Sequence, residues 1–387
     1  MRHPSLVLLT ASVAIIGSNS LALSPIAVSV AASFPGANAE AVMFATALFG
    51  GGTAVSALTL AAQVDRVGLA RSLFLALCVL SLAMLATALA PGLGWMRAAQ
   101  AVAGLATGVA LPATYGLAAE AAPPGQASRF LGKVLTGWTL SMVFGASAAA
   151  VLTDLAGWRS VYLVLAAIGA ATAAALLVRG HVTAPTDVRA KSLSPLSALA
   201  VPGVGPALMV CGVYMMAFYG LYAYLGTHLR TDLGLAAWAA GLAPLVYGLG
   251  FGAAAWLDPL IDRHGPRQVA PIVFANLVLV YGVLALGAGS AVALIALCLV
   301  WGGVNHLGLN LIVGRLAALD PARRGAILGL NSGVTYSALF TGTWLFGLGY
   351  ARLGFAFCAL LSALCILPAL IEARRLRRRS TVGAAAA

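Results

Sequence analysis

The sequence predicts an all-α membrane protein of twelve transmembrane helices, arranged as two pseudo-symmetric six-helix bundles. Three observations support this fold class: the composition, the number of long apolar runs and an internal repeat. Of 387 residues, 61% are hydrophobic and only 8% are charged, whereas a soluble domain carries about 25% charged residues. With 22 basic and 10 acidic side chains, a chain of this length cannot build a water-facing surface. Lipid must therefore surround most of it.

Apolar runs of membrane-spanning length follow one another along the chain. A spanning helix needs about 20 predominantly apolar residues. The first run, residues 5–34, is uncharged and far longer than the ~7–15-residue apolar core of a signal peptide, so we interpret it as a retained helix. The predicted helices lie near residues 5–30, 41–62, 72–90, 94–117, 130–152, 158–178, 203–228, 235–259, 268–288, 291–314, 325–348 and 354–372.

The two halves of the chain repeat after a shift of 197 residues. Parallel repeats of this kind, with a binding site between them at mid-membrane, are a known plan of transporters. The matching segments are 64–68 with 261–265, Pro124 with Pro321, and Gly157-Trp158 with Gly354-Phe355.

The repeat divides the chain into four parts. We predict an N-terminal six-helix bundle over residues 1–180, a cytoplasmic linker over 181–202, a C-terminal six-helix bundle over 203–373 and a basic cytoplasmic tail over 374–387.

The net charge of +12 is distributed as membrane orientation requires, and it does not indicate a nucleic-acid partner. If both termini are cytoplasmic, 18 basic residues lie on the inner side and 4 on the outer side. Cytoplasmic loops of membrane proteins carry such an excess of Lys and Arg. The distribution predicts an even number of spans and cytoplasmic termini, and we expect the bacterial inner membrane as the location.

The loop between predicted helices 2 and 3 carries the most specific motif. It reads Ala61-Ala62-Gln63-Val64-Asp65-Arg66-Val67-Gly68-Leu69-Ala70-Arg71. This segment resembles the loop motif Gly-x-x-x-Asp-Arg-x-Gly-Arg-Lys of the major facilitator superfamily: the Asp-Arg-x-Gly centre is kept and the trailing basic residue is displaced to Arg71.

Over nearly its whole length the chain looks most like the bacterial drug and sugar efflux permeases of that superfamily, of the drug:proton antiporter type. The resemblance implies the major facilitator fold. It also implies that the Asp65 carboxylate caps a neighbouring helix N-terminus and helps to lock one conformational state, which agrees with the favourable placement of an anion at a helix N-terminus.

Two further segments resemble family motifs less completely. In predicted helix 4, Arg97 and Gln100 match a motif in which Arg is followed three residues later by Gln. In predicted helix 5, residues 145–149 stand where exporters carry Gly-x-Pro-x-Gly, and only the first glycine, Gly145, is kept.

Charged and glycine residues of the cytoplasmic loops are candidates for gating. Asp258, near the cytoplasmic end of predicted helix 8, is interpreted first as part of an inner-gate ion pair and second as a proton site. Glu120 and Arg129 flank the loop between helices 4 and 5, where a solvated pair is an equal alternative. The remaining gating candidates are Asp65, Arg66, Gly68, Arg71, Asp262, Arg263, Gly265 and Arg267.

Polar and ionisable residues inside spans are costly and by default functional. His306 lies deep in predicted helix 10, and a histidine titrates near neutral pH, so it is a candidate proton carrier; a neutral histidine bonded between helices is the alternative. Arg97 either faces the central cavity or extends to the outer headgroups. Trp301, Asn305, His306 and Asn310 are expected to form one polar and aromatic stripe.

Other candidates for the substrate cavity lie on helices 1, 4, 7 and 11. Asn19 and Gln100 either line the cavity or bond between helices. Tyr219 and Tyr222 form an aromatic wall or pack in the bundle, whereas Tyr224 is expected in the interfacial belt. Asn331 and Tyr336 complete the set.

These features lead us to predict a secondary active transporter that exports a small organic molecule by alternating access, with the proton as coupling ion and the lipid bilayer as its surroundings. Uptake of a small metabolite, as a symporter or uniporter, is the alternative, and a membrane-embedded enzyme or a sensor is a remote one. No Gly-x-x-x-x-Gly-Lys-[Ser/Thr] loop occurs, so ATP is not expected. No Cys-x-x-Cys pair and no His-Glu-x-x-His cluster occurs either, and neither a metal nor another cofactor is expected. We expect a monomer without enzymatic activity.

Overall fold

The computed structural model of the protein describes residues 5–60, 63–64, 67–122, 127–178, 195–320 and 323–385. Every regular element within these ranges is helical, and the predicted all-α fold class is confirmed. Eleven helical segments of the described chain are long and apolar enough to cross a membrane. The last of them folds back on itself, which gives twelve spans.

Within each bundle the spans follow one another with short connections. Spans 1 to 4 are Leu6–Ala31, Ala39–Thr59, Leu69–Ala88 and Leu93–Ala121. Span 5 comprises Ala127–Leu140, a π-helical turn at Ser141–Ala146 and Ser147–Ala156, and span 6 is Trp158–Val178. Span 7 is Val204–Thr231. Span 8 comprises Ala237–Ala240, Leu242–Ala253, a 3-10 turn at Ala254–Leu257 and Asp258–His264. Span 9 is Pro266–Leu286, span 10 is Ala291–Leu319, and Arg324–Ala385 forms spans 11 and 12.

Spans 11 and 12 are separated by a sharp turn at Gly354. This residue has φ 74° and ψ −172° inside an otherwise helical segment. Beyond the turn, the Cys358 thiol lies 3.5 Å from the carbonyl oxygen of Phe346, although twelve residues of straight helix would separate them by about 18 Å. The chain therefore reverses direction here. With twelve spans both chain ends lie on one side of the membrane, which we call the terminal side; the opposite side is the distal side.

The internal repeat is present in the backbone itself. Gly68 has φ 93° and Gly265 has φ 81°; Gly157 has φ 79° and Gly354 has φ 74°. Each pair is separated by the 197 residues of the sequence repeat, and this left-handed region is one that glycine enters at little cost. The same turn therefore connects spans 2–3 and 8–9, and another connects spans 5–6 and 11–12.

Parts of the predicted division of the chain lie outside the described residues. Most of the linker at 181–202 is not described; its last part contains a 3-10 turn at Pro195–Ala200. Beyond residue 373 the helix of span 12 continues to Ala385.

Span 8 is broken, which corrects the prediction of one uninterrupted helix near 235–259. A 3-10 turn at Ala254–Leu257 precedes the short helix Asp258–His264. Pro259 explains the position of the break, because it has no N–H to donate to the carbonyl of Ala255. Span 5 is also interrupted, by the π-helical turn at Ser141–Ala146, where the sequence predicts a regular helix.

Glycines allow spans 8 and 10 to approach closely. A methyl group added at Gly302 would collide with the carbonyl oxygen of Tyr247, and one added at Gly250 would collide with that of Leu299. Small residues at such crossings are typical of helix packing in membranes, where van der Waals contact replaces the hydrophobic effect between helices.

We therefore expect Gly302→Ala to lower the stability of the protein by about 1–3 kcal/mol, because the backbones must separate. Gly303→Ala is the matched control: it has the same change in helix propensity, but the nearest atom is 3.6 Å away. Thermal unfolding in detergent, followed by tryptophan fluorescence, measures the difference. Equal midpoints for the two variants would contradict the packing.

Candidate functional site

A small polar cluster lies inside the N-terminal bundle. The Asn19 amide donates to the Gln100 carbonyl oxygen at 3.1 Å, and Gln100 donates to Asn19 at 3.3 Å and to the Thr87 hydroxyl at 3.1 Å. Asn19 and Gln100 are 2% and 1% exposed. Spans 1, 3 and 4 are thus joined by amide and hydroxyl bonds, the interhelical alternative of the sequence analysis. Contact of these amides with a substrate stays a prediction.

Arg97 lies one helical turn from Gln100 and binds elsewhere. Its guanidinium donates to the carbonyl oxygen of Ala41 through Nη2 at 2.7 Å and through Nε at 3.2 Å, and it lies over the ring of Phe44 at 5.3 Å. Arg97 therefore joins the distal ends of spans 2 and 4.

The C-terminal bundle contains a buried aromatic cluster. The Phe218 ring lies 4.9 Å from Tyr219, 5.4 Å from Tyr222, 5.5 Å from Tyr247 and 5.8 Å from Trp301. Pairs at these separations stabilise packing beyond the area that they bury. Tyr219, Tyr222 and Trp301, predicted from the sequence, thus meet at one place formed by spans 7, 8 and 10. Tyr247 was missed, and its spacing of four residues from Phe251 on span 8 was the available signal.

The expected stripe on span 10 divides into two groups with different partners. Asn305 is buried, donates to the Tyr247 hydroxyl at 2.7 Å, and accepts through its backbone carbonyl from Tyr214 at 2.5 Å. It belongs with Trp301 to the aromatic cluster. His306 and Asn310 point to another partner on span 8.

That partner is Asp258, at the break of span 8. His306 Nε2 lies 3.1 and 3.2 Å from the two carboxylate oxygens of Asp258, and the Asn310 amide donates to Oδ1 at 2.7 Å. The His306 ring also contacts the edge of Phe251 at 4.9 Å. The 3-10 turn before Asp258 positions this carboxylate against span 10. We call these three residues the Asp258–His306 group.

The His306 side chain is 17% exposed and that of Asp258 is 33% exposed, so both side chains are only partly covered by the protein. The Asp258–His306 group lies in the terminal half of the C-terminal bundle. Asp258 is bonded to a histidine and an amide. The sequence predicts an ion pair for Asp258, and its partner is His306, whose imidazole is charged when it is protonated.

The predicted gating loops are described only in part. Asp65 and Arg66 and the side chain of Arg129 lie outside the described residues. The side chains of Arg71, Glu120, Asp262, Arg263 and Arg267 are exposed, whereas Gly68 and Gly265 begin spans 3 and 9. A gating role of these loops stays a prediction.

Span 11 contributes two polar residues near the boundary between the bundles. The Tyr336 ring lies 6.3 Å from Phe49 of span 2. The Tyr336 hydroxyl and the Asn331 carbonyl oxygen are buried, with no hydrogen-bond partner among the described residues. The hydroxyls of Tyr336, Tyr219 and Tyr115 are close enough to interact electrostatically. Tyr115, on span 4, was missed by the sequence analysis; its hydroxyl accepts a hydrogen bond from Trp138 of span 5 at 3.3 Å.

The expected place of Tyr224 in the interfacial belt is wrong. Tyr224 is 1% exposed, donates to the Thr343 carbonyl oxygen at 2.7 Å, and stacks on Tyr350 at 5.2 Å. It packs between spans 7 and 11, because span 7 is covered on all sides in its distal half.

Hydrogen bonds join the two bundles near the distal side. Arg230 of span 7 donates to the Ser29 hydroxyl of span 1 at 2.6 Å, and the Trp238 backbone N–H at the start of span 8 donates to the Asp154 carboxylate of span 5 at 2.8 Å. Arg230 and Asp154 also interact electrostatically. We call these two bonds the distal latch. The sequence analysis missed it, since the only signal was a charge at each span end.

The burial of the two central spans agrees with closure on the distal side. Every residue from Ile15 to Ala27 in span 1 and from Ala217 to Leu229 in span 7 is buried. In the terminal halves exposed residues appear, such as Val7 at 73% and Met209 at 44%. Deeper in the distal half, the Ser24 hydroxyl donates to the Tyr222 carbonyl oxygen at 2.6 Å.

Comparison with known proteins identifies the family to which the chain belongs. The sequence matches the Major Facilitator Superfamily over residues 7–343. The chain belongs to this superfamily and is a multi-pass membrane transporter of that type.

Two relatives come from Bacillus subtilis (strain 168). The uncharacterized MFS-type transporter YwfA is 25% identical over 361 residues, which are 92% of this chain and 87% of the relative. The uncharacterized MFS-type transporter YbcL is 21% identical over 294 residues, which are 73% of this chain and 72% of the relative. Among solved structures, a D-xylose-proton symporter superposes with a TM-score of 0.73 at 14% identity, covering 94% of this chain and 96% of that chain. This last similarity shows the fold alone.

We expect Gln100→Met to lower stability by about 1 kcal/mol, because the substitution leaves the buried Asn19 amide without its partner. Thr107→Val is the matched control on the same span: its buried hydroxyl has no hydrogen-bond partner among the described residues. Thermal unfolding of both variants measures the difference. A Gln100→Met midpoint equal to that of Thr107→Val would show that the amide cluster adds nothing.

Proposed function

We propose that the protein is a proton-coupled exporter of a small organic molecule that works by alternating access between its two bundles. The Asp258–His306 group carries this proposal. It is a carboxylate and an imidazole in contact inside the membrane domain, and ionisable groups there commonly form proton pathways.

The attraction between His306 and Asp258 depends on the protonation of the imidazole. A protonated imidazole attracts the Asp258 carboxylate across a distance of 3.1 Å, and loss of the proton removes that attraction. Because Asp258 directly follows the break in span 8, a change in this bond alters how the terminal end of span 8 packs on span 10. Protonation is in this way linked to the conformation of the terminal side.

The substrate is held between the two bundles. The Asn19–Gln100 pair supplies amide groups from the N-terminal bundle, and the aromatic cluster supplies ring faces from the C-terminal bundle. Tyr336 and Asn331, with buried polar atoms that have no hydrogen-bond partner in the described part of the chain, offer hydrogen bonds to a bound molecule. Mostly apolar walls with a few polar groups are typical of small-molecule sites, and they favour a weakly charged organic substrate.

The structure represents a state closed on the distal side in this proposal. The distal latch and the enclosed distal halves of spans 1 and 7 hold the bundles together there, so that the substrate enters from the terminal side. We propose that the terminal side is the cytoplasm, on the 18 to 4 distribution of basic residues, and that the membrane is the bacterial inner membrane. The loops that contain Asp65 and Asp262 then act as cytoplasmic gates.

Export is proposed on the resemblance of the Asp65-Arg66-x-Gly68 loop to drug:proton antiporters. Uptake is the second candidate, supported by the shared fold with a D-xylose-proton symporter. Export by antiport and uptake by symport differ in the relative direction in which the proton and the substrate cross the membrane. Vesicles that contain the protein and a pH-sensitive dye distinguish them: export by antiport moves protons against the added molecule, and symport moves both the same way. A panel of fluorescent organic dyes and D-xylose are the probes.

We expect His306→Gln to retain substrate exchange without a pH gradient and to lose at least about tenfold of the gradient-driven flux, because glutamine keeps a hydrogen bond to Asp258 but does not titrate. His264→Gln is the matched control, since His264 is exposed at the end of span 8. Flux in reconstituted vesicles with and without a pH gradient measures both. Gradient-driven flux at the parent rate in His306→Gln would exclude this group from proton coupling.

A further inference from the structure

A second titratable pair lies on the distal side, far along the chain from the Asp258–His306 group. His228 Nδ1 is 2.6 Å from Oδ2 of Asp232, and His228 Nε2 is 2.7 Å from the carbonyl oxygen of Ala288 in the turn between spans 9 and 10. The His228 ring stacks on Phe355, at the start of span 12, with centroids 4.6 Å apart and planes 8° apart. The His228 side chain is 9% exposed and that of Asp232 is 44% exposed.

The contacts of His228 require a bound proton. Both ring nitrogens face oxygen atoms that accept hydrogen bonds, and a neutral imidazole has only one N–H to donate. Either the imidazole carries two N–H groups, or Asp232 carries a proton that it donates to Nδ1. In each case the pair holds one proton more than a carboxylate and a neutral imidazole. When that proton leaves, a nitrogen lone pair faces an oxygen across less than 3 Å.

The neighbouring charged and titratable groups act on the bound proton in opposite directions: the negative charge of Glu40 favours it, whereas the hydrogen bond donated to Asp232 and the positive charge of Arg230 disfavour it. Tyr350 of span 11 donates its hydroxyl to the same Asp232 oxygen at 3.0 Å. Glu40 of span 2 interacts electrostatically with Tyr350. Arg230 is the nearby cation on span 7 itself, and its side chain is directed to Ser29 of the N-terminal bundle.

His228 thereby fixes the end of the helix that carries the distal latch. The His228–Asp232 bond lies within the end of span 7, whereas the His228 bond to Ala288 and the Tyr350 bond to Asp232 hold the last turn of span 7 against the rest of the C-terminal bundle. Arg230, two residues further on, reaches across to the N-terminal bundle, and Asp154 attracts it from span 5. The position of the helix end decides whether Arg230 meets Ser29.

We propose that His228 is a positioning residue of the distal gate, and that the proton held by His228 and Asp232 keeps this gate closed. Loss of that proton breaks one of the two bonds of the ring, releases the end of span 7 and weakens the distal latch. A proton taken up from the distal side therefore closes that side, and the gate opens as the distal pH rises. This assignment rests on the transporter fold and not on the direction of transport or on His306.

Accessibility of a thiol behind the latch tests the proposal. Thr227 is 1% exposed and lies three residues before Arg230, on the same face of span 7, so the thiol of Thr227→Cys reports on access behind the latch. Vesicles with the distal side outward and a fixed internal pH are treated with a membrane-impermeant maleimide between about pH 5.5 and pH 8. Because a thiol reacts faster as it ionises, each rate is divided by that of the unfolded chain at the same pH. The parent protein, with its five native cysteines, sets the background.

We expect the corrected rate to rise about tenfold from the acid to the alkaline end, as loss of a charge-assisted hydrogen bond implies. In His228→Gln the rate should be high and independent of pH, and in Asp232→Asn it should be raised at acid pH. His264→Gln, the control at an exposed histidine at the end of span 8, should keep the pH dependence of the parent.

A flat corrected rate in the Thr227→Cys chain with His228 intact would overturn the proposal without need of any further variant. The same conclusion follows if His228→Gln retains the full pH dependence. If the dependence disappears in His306→Gln instead, the proton that controls the gate is bound at the Asp258–His306 group and not at His228.

Discussion

A polar side chain inside a bilayer has no water to bond to, and this constraint determines where the few polar residues of the chain are found. Asn19 pairs with Gln100, Asn305 pairs with Tyr247, and His306 pairs with Asp258. Each pair joins two different spans, so each also fixes how those spans pack. In our proposal, the residues that satisfy each other's hydrogen bonds are also the residues that a substrate or a proton meets.

The hydrogen bonds described above between the bundles lie near the distal side, although spans 2 and 11 also pack at their terminal ends, where the Leu58 side chain lies against Gly333. Near the distal side, spans 1 and 7 and spans 5 and 8 are bonded through Ser29, Arg230, Asp154 and the first turn of span 8. These few hydrogen bonds can be broken at low cost, because each contributes only about 0.5–1.5 kcal/mol to the stability of the closed arrangement. The bundles are thus held in one arrangement without being locked in it, as alternating access requires.

Much of the fold could be predicted because it depends on local features. The 197-residue repeat places glycine where the backbone needs a positive φ, and the same glycines recur at Gly68 and Gly265 and at Gly157 and Gly354. The long apolar runs of the sequence predicted where the membrane spans lie. The break in span 8 also has a local cause, Pro259, but its effect depends on the carbonyl that loses its bond, and the sequence analysis missed it.

The site was less predictable, because partners that lie far apart in the chain meet only through packing. The sequence singled out His306 and Asp258 separately, yet their contact across 48 residues depends on the crossing of spans 8 and 10 through Gly250 and Gly302. Tyr224 was placed at the interface because tyrosine is common there; the helix around it turned out to be covered by span 11. The predicted roles of Asn19, Arg97 and the gating loops concern substrate and motion, which packing alone does not decide.

The central claim is that the bundles rock between a distal-closed and a terminal-closed state. Spin-label distances test it most directly, in lipid nanodiscs and with the half-buried Cys78 and Cys365 replaced. One label pair, Leu155→Cys with Ala236→Cys, reports on the distal ends of spans 5 and 8, and a second, Lys133→Cys with His264→Cys, reports on their terminal ends. The account predicts that, as the pH is raised, a longer distal distance and a shorter terminal distance gain population together. Two distances that stay single and unchanged, or that lengthen together, would contradict it.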